Sequence, residues 1–124
     1  MIKEKTEITY YKDGTKQSER TFWDNGREKT FIYYHQNGTK EQEVTCWKTG
    51  KLKTVIEHYE DGAKESEYIY YKDAVVKAIT LYYKSGAIKS IWTSSPSGNR
   101  RKYTEYYEDG IKKDKKVWID GVEK

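Results

Sequence analysis

Residues 10–19 read YYKDGTKQSE, and the Asp-Gly pair at 13–14 sets a phase that the rest of the chain keeps. Glycines follow at 26, 38, 50 and 62, then at 86, 98 and 110. Ala74 stands where the doubled gap expects a glycine, and Gly121 closes the series one residue early. The residue before each of these positions is Asp13, Asn25, Asn37, Thr49, Asp61, Asp73, Ser85, Ser97, Asp109 or Asp120. Asn-Gly and Asp-Gly between strand-forming runs are the strongest short-range hairpin signal, and they predict two-residue type I′ turns with positive φ at both central residues. Aromatic pairs such as Tyr10-Tyr11, Phe22-Trp23, Tyr70-Tyr71, Tyr82-Tyr83 and Tyr106-Tyr107 lie just ahead of the turns. A turn every 12 residues leaves no segment long enough for a stable capped helix. Strands joined by tight turns are antiparallel neighbours, with about ten residues left for each. The expected fold is all-β: an elongated single-layer antiparallel meander of about nine or ten strands.

A longer period is nested in the first. Five residues after successive turn positions stand Glu19, Phe31, Glu43, Val55, Glu67 and Ile79, so acidic and apolar residues alternate and the full unit is a 24-residue hairpin. The units run 14–37, 38–61, 62–85 and 86–109, with a partial one at 110–121, in one domain. Pairing across two-residue turns places Arg20, Phe31, Val44, Val55, Tyr68, Ile79, Trp92 and Tyr103 in one column on one face. Glu19, Ile32, Glu43, Ile56, Glu67, Thr80, Ile91 and Thr104 form the matching column on the other. The first face wants cover; the second tolerates water. Nearer the turns the same pairing sets Phe22 opposite Lys29, Tyr34 opposite Glu41, Tyr59 opposite Lys64 and Tyr70 opposite Lys77, and it puts His35 beside Lys40 and His58 beside Glu65. Long charged stems lying across rings can hold a thin sheet together.

The composition agrees. Charged residues make up 35% of the 124 residues and aromatics 15%, with 13 Tyr. A disordered chain of that polarity would be poor in aromatic and β-branched residues. The net charge of +4 is spread among interleaved signs and gives no one-sided basic face for nucleic acid. One cysteine, Cys46, excludes an internal disulfide framework. Met1-Ile2-Lys3-Glu4-Lys5 has no apolar signal core, and no stretch could span a bilayer, so a cytoplasmic protein is expected.

The motif Tyr-Tyr-x-Asp/Asn-Gly-x-Lys-x-Ser/Thr-Glu, seen at Tyr10–Glu19, Trp23–Phe31 (WDNGREKTF) and Tyr59–Glu67 (YEDGAKESE), resembles MORN-type repeats. It is most similar to the bacterial YwqK-family antitoxin repeats, over about residues 8 to 121. The resemblance implies elongated single-layer sheets that bind other molecules and, in the bacterial branch, neutralisation of a toxin by direct binding. The extra glycines of eukaryotic MORN hairpins are absent here.

No catalytic residues, cofactor site or metal site are indicated. His35 and His58 occupy slots that carry Tyr in other units, and structural zinc needs four convergent ligands. The apolar column is the candidate partner surface, centred on Val44, Tyr68, Trp92 and Tyr103, because Trp and Tyr dominate interface hot spots. A second candidate is the irregular unit Ser94-Ser95-Pro96-Ser97, read as a bulge or loop, with the basic residues Arg100 and Arg101 after it. The expected function is a non-enzymatic protein-binding module, an antitoxin or immunity protein with a toxin domain as partner. The alternatives are a scaffold that self-associates through a sheet face or an edge strand and, last, a membrane adaptor. Glu105, Glu108, Asp109 and Asp114 interrupt the basic stretch from Asn99 to Lys116 that the adaptor would use.

Overall fold

The computed structural model describes residues 5–124. Residues 1–4, which belong to the segment read above for a signal core, lie outside that range. Eleven strands form one antiparallel sheet in strict chain order. They are β1 (Thr6–Tyr10), β2 (Lys16–Phe22), β3 (Glu28–Tyr34), β4 (Lys40–Cys46), β5 (Leu52–His58), β6 (Lys64–Tyr70), β7 (Val76–Tyr82), β8 (Ile88–Ser94), β9 (Arg100–Tyr106), β10 (Lys112–Ile119) and β11 (Val122–Glu123). The meander is as expected, with β11 as a short extra strand. The strands are shorter than ten residues because the turns take more of each unit.

The turns are not type I′. Tyr11 N donates to Thr15 O at 2.8 Å and Gly14 N to Tyr11 O at 3.0 Å, enclosing the three-residue loop Lys12-Asp13-Gly14. Gly14 has φ +90° while Asp13 is not among the residues with positive φ. This is a type I turn followed by a left-handed residue, the three-residue hairpin loop with a glycine bulge. Asp and Asn precede the glycine for a different reason than the one expected: their side chains cap the turn. Asp13 Oδ1 accepts from Thr15 N at 3.0 Å, and Asn25, Asn37, Asp61, Asp73 and Asp109 accept likewise from the residue two positions on. Ala74 adopts φ 75° and keeps the same turn. Only Asp120-Gly121 has two positive φ values, 53° and 79°, and there Ile119 pairs with Val122 across a true two-residue turn.

A three-residue loop alone would shift the register by one. A second bulge in the following strand restores it. Thr21 pairs with Thr30 but Phe22 with Glu28, so Lys29 is an extra residue between them. Gln17, Glu41, Lys53, Glu65, Lys77, Lys89 and Lys113 fill the same place in their hairpins. The central columns therefore come out as expected: Arg20 pairs with Phe31, Phe31 with Val44, Val55 with Tyr68, Ile79 with Trp92 and Trp92 with Tyr103. The pairs near the turns move by one. Phe22 faces Glu28, Tyr34 faces Lys40, Tyr70 faces Val76, and His58 instead of Tyr59 faces Lys64. His35 is opposite Thr39. Between β8 and β9 no register shift occurs; Ser95 N donates to Arg100 O around a four-residue loop, so the extra residue sits in the loop with Pro96 and not in the strand.

The sheet has no conventional core. Among the described residues Cys46, 8% exposed, is the only buried apolar side chain, and no large side chain is fully buried. What holds neighbouring hairpins together instead is a row of rings along each edge. At five places the aromatic three residues before the turn position reaches the main chain of the next hairpin on its own edge, whereas Trp47 Nε1 and His35 Nε2 find no partner among the described residues. Tyr11 Oη donates to Tyr34 O at 2.6 Å, Trp23 Nε1 to Cys46 O at 3.2 Å, Tyr59 to Tyr82 O at 3.1 Å, Tyr71 to Ser94 O at 2.8 Å and Tyr83 to Tyr106 O at 2.7 Å. The bulge turns its lysine onto the ring: Lys29 lies over Trp23, Lys53 over Trp47, Lys77 over Tyr71, Lys89 over Tyr83 and Lys113 over Tyr107, at 4.7 to 5.8 Å from the ring centroid. Each such contact contributes about 0.5–1 kcal/mol at an exposed site. The rings cover sheet edges with apolar area while the cations keep that area wettable.

Candidate interaction surface

The register builds one continuous surface from residues scattered through the chain. Val44, Val55, Tyr68, Ile79, Trp92 and Tyr103 are successive cross-strand neighbours in β4 to β9, so their side chains project from the same face. All are half-buried, screened by their neighbours on the sheet and by no second layer. At the β2–β3 end the column is closed off: the Arg20 guanidinium lies 4.3 Å over the Phe31 ring, which meets Tyr33 edge-on at 4.8 Å. Toward β6–β9 nothing comparable covers Tyr68 or Trp92. Tyr103 is fixed differently, its hydroxyl donating to Glu105 at 2.8 Å. That hydrogen bond to a carboxylate, with burial, raises its pKa above the ordinary phenol value.

Sequence reasoning placed Tyr68, Trp92, Tyr103 and Val44 together, and the structure brings them onto one face. It divides the two arginines. Arg101 alternates with Tyr103 and so shares the apolar face, where it pairs with Ser94 and its guanidinium lies 5.9 Å from the Trp118 ring. Arg100 projects from the opposite face and is exposed.

The opposite face explains the alternation of glutamate and aliphatic residues. Glu19, Glu43 and Glu67 each accept from the lysine three residues earlier, Lys16 at 3.2 Å and Lys40 and Lys64 at 3.0 Å. Each of these lysines is raised in pKa by its carboxylate partner. A ring from the next hairpin completes the set where Tyr34 Oη donates to Glu19 at 3.3 Å and where His58 Nε2 meets Glu43 at 2.7 Å. His58 Nδ1 faces Gly62 O at 3.1 Å. This histidine therefore replaces a tyrosine in a ladder slot, next to Lys64 and not Glu65. Burial pushes the Glu43 carboxyl up, but hydrogen bonds from His58 and Lys40 outweigh it and hold it below the usual carboxylate range. A lowered carboxylate stabilises the fold above its unfolded pKa, and the contribution is lost as pH falls through the folded one. Glu43→Gln should cost about 1 kcal/mol at neutral pH. The gap from the parent protein in urea unfolding should narrow as the pH falls through and below the usual carboxylate range.

One concave site was not foreseen. Near the turns at Gly38 and Gly62, an open cavity is lined by Tyr33, His35, His58 and Tyr59 and by the carboxylates of Glu41, Glu57, Glu60, Asp61 and Glu65, with Gln42 and Lys84 completing it. His35 Nε2 is buried there without a hydrogen-bond partner. The signal was present in the sequence, since Glu41 and Glu65 break the run of lysines at the bulged position. It could be read only once the bulge was known. Among the described residues no group of three or more His, Cys, Asp or Glu could hold a metal ion, and no helix is long and apolar enough to cross a membrane. Cys46 is buried, which pushes its thiol up in pKa and away from nucleophilic use.

No family model and no curated protein matches the chain. Among solved structures it is similar to a chain in the crystal structure of a GtfA/B complex bound to UDP and GlcNAc, with 16% identity and a TM-score of 0.49 over 94% of this chain and 24% of that one. It is also similar to a chain in the structure of accessory secretory protein 1,2 and 3 from Streptococcus pneumoniae, with 16% identity and a TM-score of 0.46 over 94% of this chain and 19% of that one. The chain thus spans about a quarter and about a fifth of the length of those two proteins.

Proposed function

We propose that this chain is a non-enzymatic protein-binding module whose partner seats on the face carrying Val44, Tyr68, Trp92 and Tyr103. The observation that carries this reading is the uncovered column itself: a row of large half-buried side chains on a sheet with no second layer. Contiguous apolar surface rimmed by charge marks interaction sites, and Trp and Tyr hold the largest shares of interface energy. The ring rows on the edges supply rigidity, so the face is preorganised and little ordering cost falls on binding. The resemblance of the turn motif to YwqK-family repeats supports a toxin domain as the partner, sequestered by occlusion in the manner of an immunity protein.

The test is affinity capture from the native host with the parent protein and with Trp92→Arg. The parent should retain a specific partner, and Trp92→Arg should weaken its affinity at least about tenfold, with the unfolding midpoint little changed. Retention of the partner at undiminished affinity by Trp92→Arg and by Tyr68→Glu would sink the proposal.

A further inference from the structure

The ring rows carry their own record of what fits against them. A ring three residues before a turn glycine is covered from the bulged residue six positions later and, at Trp23 and Trp47, also from the residue 25 positions later in the next hairpin on that edge. Over Trp23 lie Lys29 at 4.7 Å and Lys48 at 5.4 Å, and over Trp47 lie Lys53 at 4.7 Å and Lys72 at 5.2 Å. At His35 both places are acidic, Glu41 and Glu60. At Tyr59 the first is Glu65, while Lys84 fills the second at 5.7 Å. These two rings are neighbours on one edge and line the same cavity, together with Tyr33 and Glu57. Among the described residues, none of Glu41, Glu57, Glu60 and Glu65 takes part in an ion pair. The pair of ammonium groups found at Trp23 and Trp47 is replaced at His35 by two carboxylates and at Tyr59 by one carboxylate and Lys84.

We infer that this cavity is a socket for a lysine side chain of the partner polypeptide. An ammonium entering it would meet the Tyr33 ring and the Tyr59 ring beside Lys84, much as the chain's own lysines meet Trp23 and Trp47 in pairs, and would offset the mutual repulsion of the four glutamates around it. A lysine fits better than an arginine because the socket's intramolecular counterparts at both tryptophans are lysines on flexible stems. The inference rests on the proposed function in taking the occupant to be a protein. Tyr33, Gln42 and Glu57 are cross-strand neighbours one column over from Phe31, Val44 and Val55 on the same face, so a chain lying along the apolar column passes the socket's mouth.

The experiment is an NMR titration of the full chain with three probes: acetyl-Gly-Lys-Gly-amide, the same peptide with the lysine Nε-acetylated, and spermidine. The lysine peptide should shift the resonances of His35, Glu41, Tyr59 and Glu65, and acetylation should weaken it about tenfold or more. The double variant Glu41→Lys with Glu65→Lys restores the residues found elsewhere in the repeat. It should bind the peptide about tenfold more weakly while unfolding at the same or a higher midpoint. Trp92→Arg should leave the peptide's affinity within about twofold, which keeps failure of the apolar-face reading distinguishable from failure of the socket. Equal binding of the acetylated peptide, unchanged binding by the double lysine variant, or shifts confined to other residues would overturn the assignment. Binding of spermidine about tenfold more tightly than the peptide would overturn the peptide occupant.

Discussion

Tyr83→Ala is expected to destabilise the protein by about 3 kcal/mol, a large loss for a side chain with a solvent-facing edge. The ring does three things at once. It is itself half-buried, its hydroxyl donates to Tyr106 O at 2.7 Å across to the next hairpin on that edge, and Lys89 lies over it at 5.8 Å. Tyr83→Phe keeps the ring and the cation and loses only the hydrogen bond, which leaves a carbonyl that water can reach, so it should cost about 1 kcal/mol. In a sheet without a core, stability is close to a sum of terms between neighbouring hairpins. Tyr83→Ala should therefore raise hydrogen exchange most in β7 to β10, and less in β2 to β4. A loss under 1 kcal/mol in urea unfolding would mean that the ring rows are decoration.

The second large effect tests the turn. At Gly86 a Cβ would meet nothing within 4 Å, yet φ is +93°, so any penalty there comes from the backbone alone. Gly86→Val should cost about 2 kcal/mol, because a β-branched residue in the left-handed region is strained. Ala74→Gly, at φ 75°, should gain about 1 kcal/mol. A third variant separates the two turn types. Lys12 is the first central residue of the observed type I turn, where proline fits, whereas in a two-residue type I′ turn centred on Asp13-Gly14 it would end the strand with its N–H in the ladder. Lys12→Pro should be neutral or slightly stabilising, as Pro96 before Gly98 already suggests for that place in the unit. Collapse of the Lys12→Pro protein would contradict the loop geometry.

Much of the fold was legible in the glycine spacing. Fixed-phase turns exclude helices, force antiparallel neighbours and set strand order, and the central columns followed to the residue. They did so through two compensating features. A three-residue loop was read as a two-residue one, and an unread bulge at Lys29 and its equivalents returned the register to the same place. Asp-Gly and Asn-Gly serve both turn types, so the dipeptide could not distinguish them; the lysine-rich position three residues after each glycine was the remaining clue. The candidate site divides the same way. Val44, Tyr68, Trp92 and Tyr103 depend only on the central register and came out together. His35, Glu41, Glu60 and Glu65 depend on where the bulge points a side chain and on contacts between alternate hairpins, and those were invisible to a strand-by-strand pairing.

One layer of strands stands alone, braced by rings along its edges and with no second layer over the half-buried column of its apolar face. Small-angle X-ray scattering over a concentration series tests it directly. Eleven strands about 4.8 Å apart give a sheet roughly 50 Å long, for which a monomer's radius of gyration should be about 18 Å at every concentration. A radius near 14 Å, that of a compact domain of this length, or a concentration-dependent dimer that pairs the two apolar faces, would contradict it.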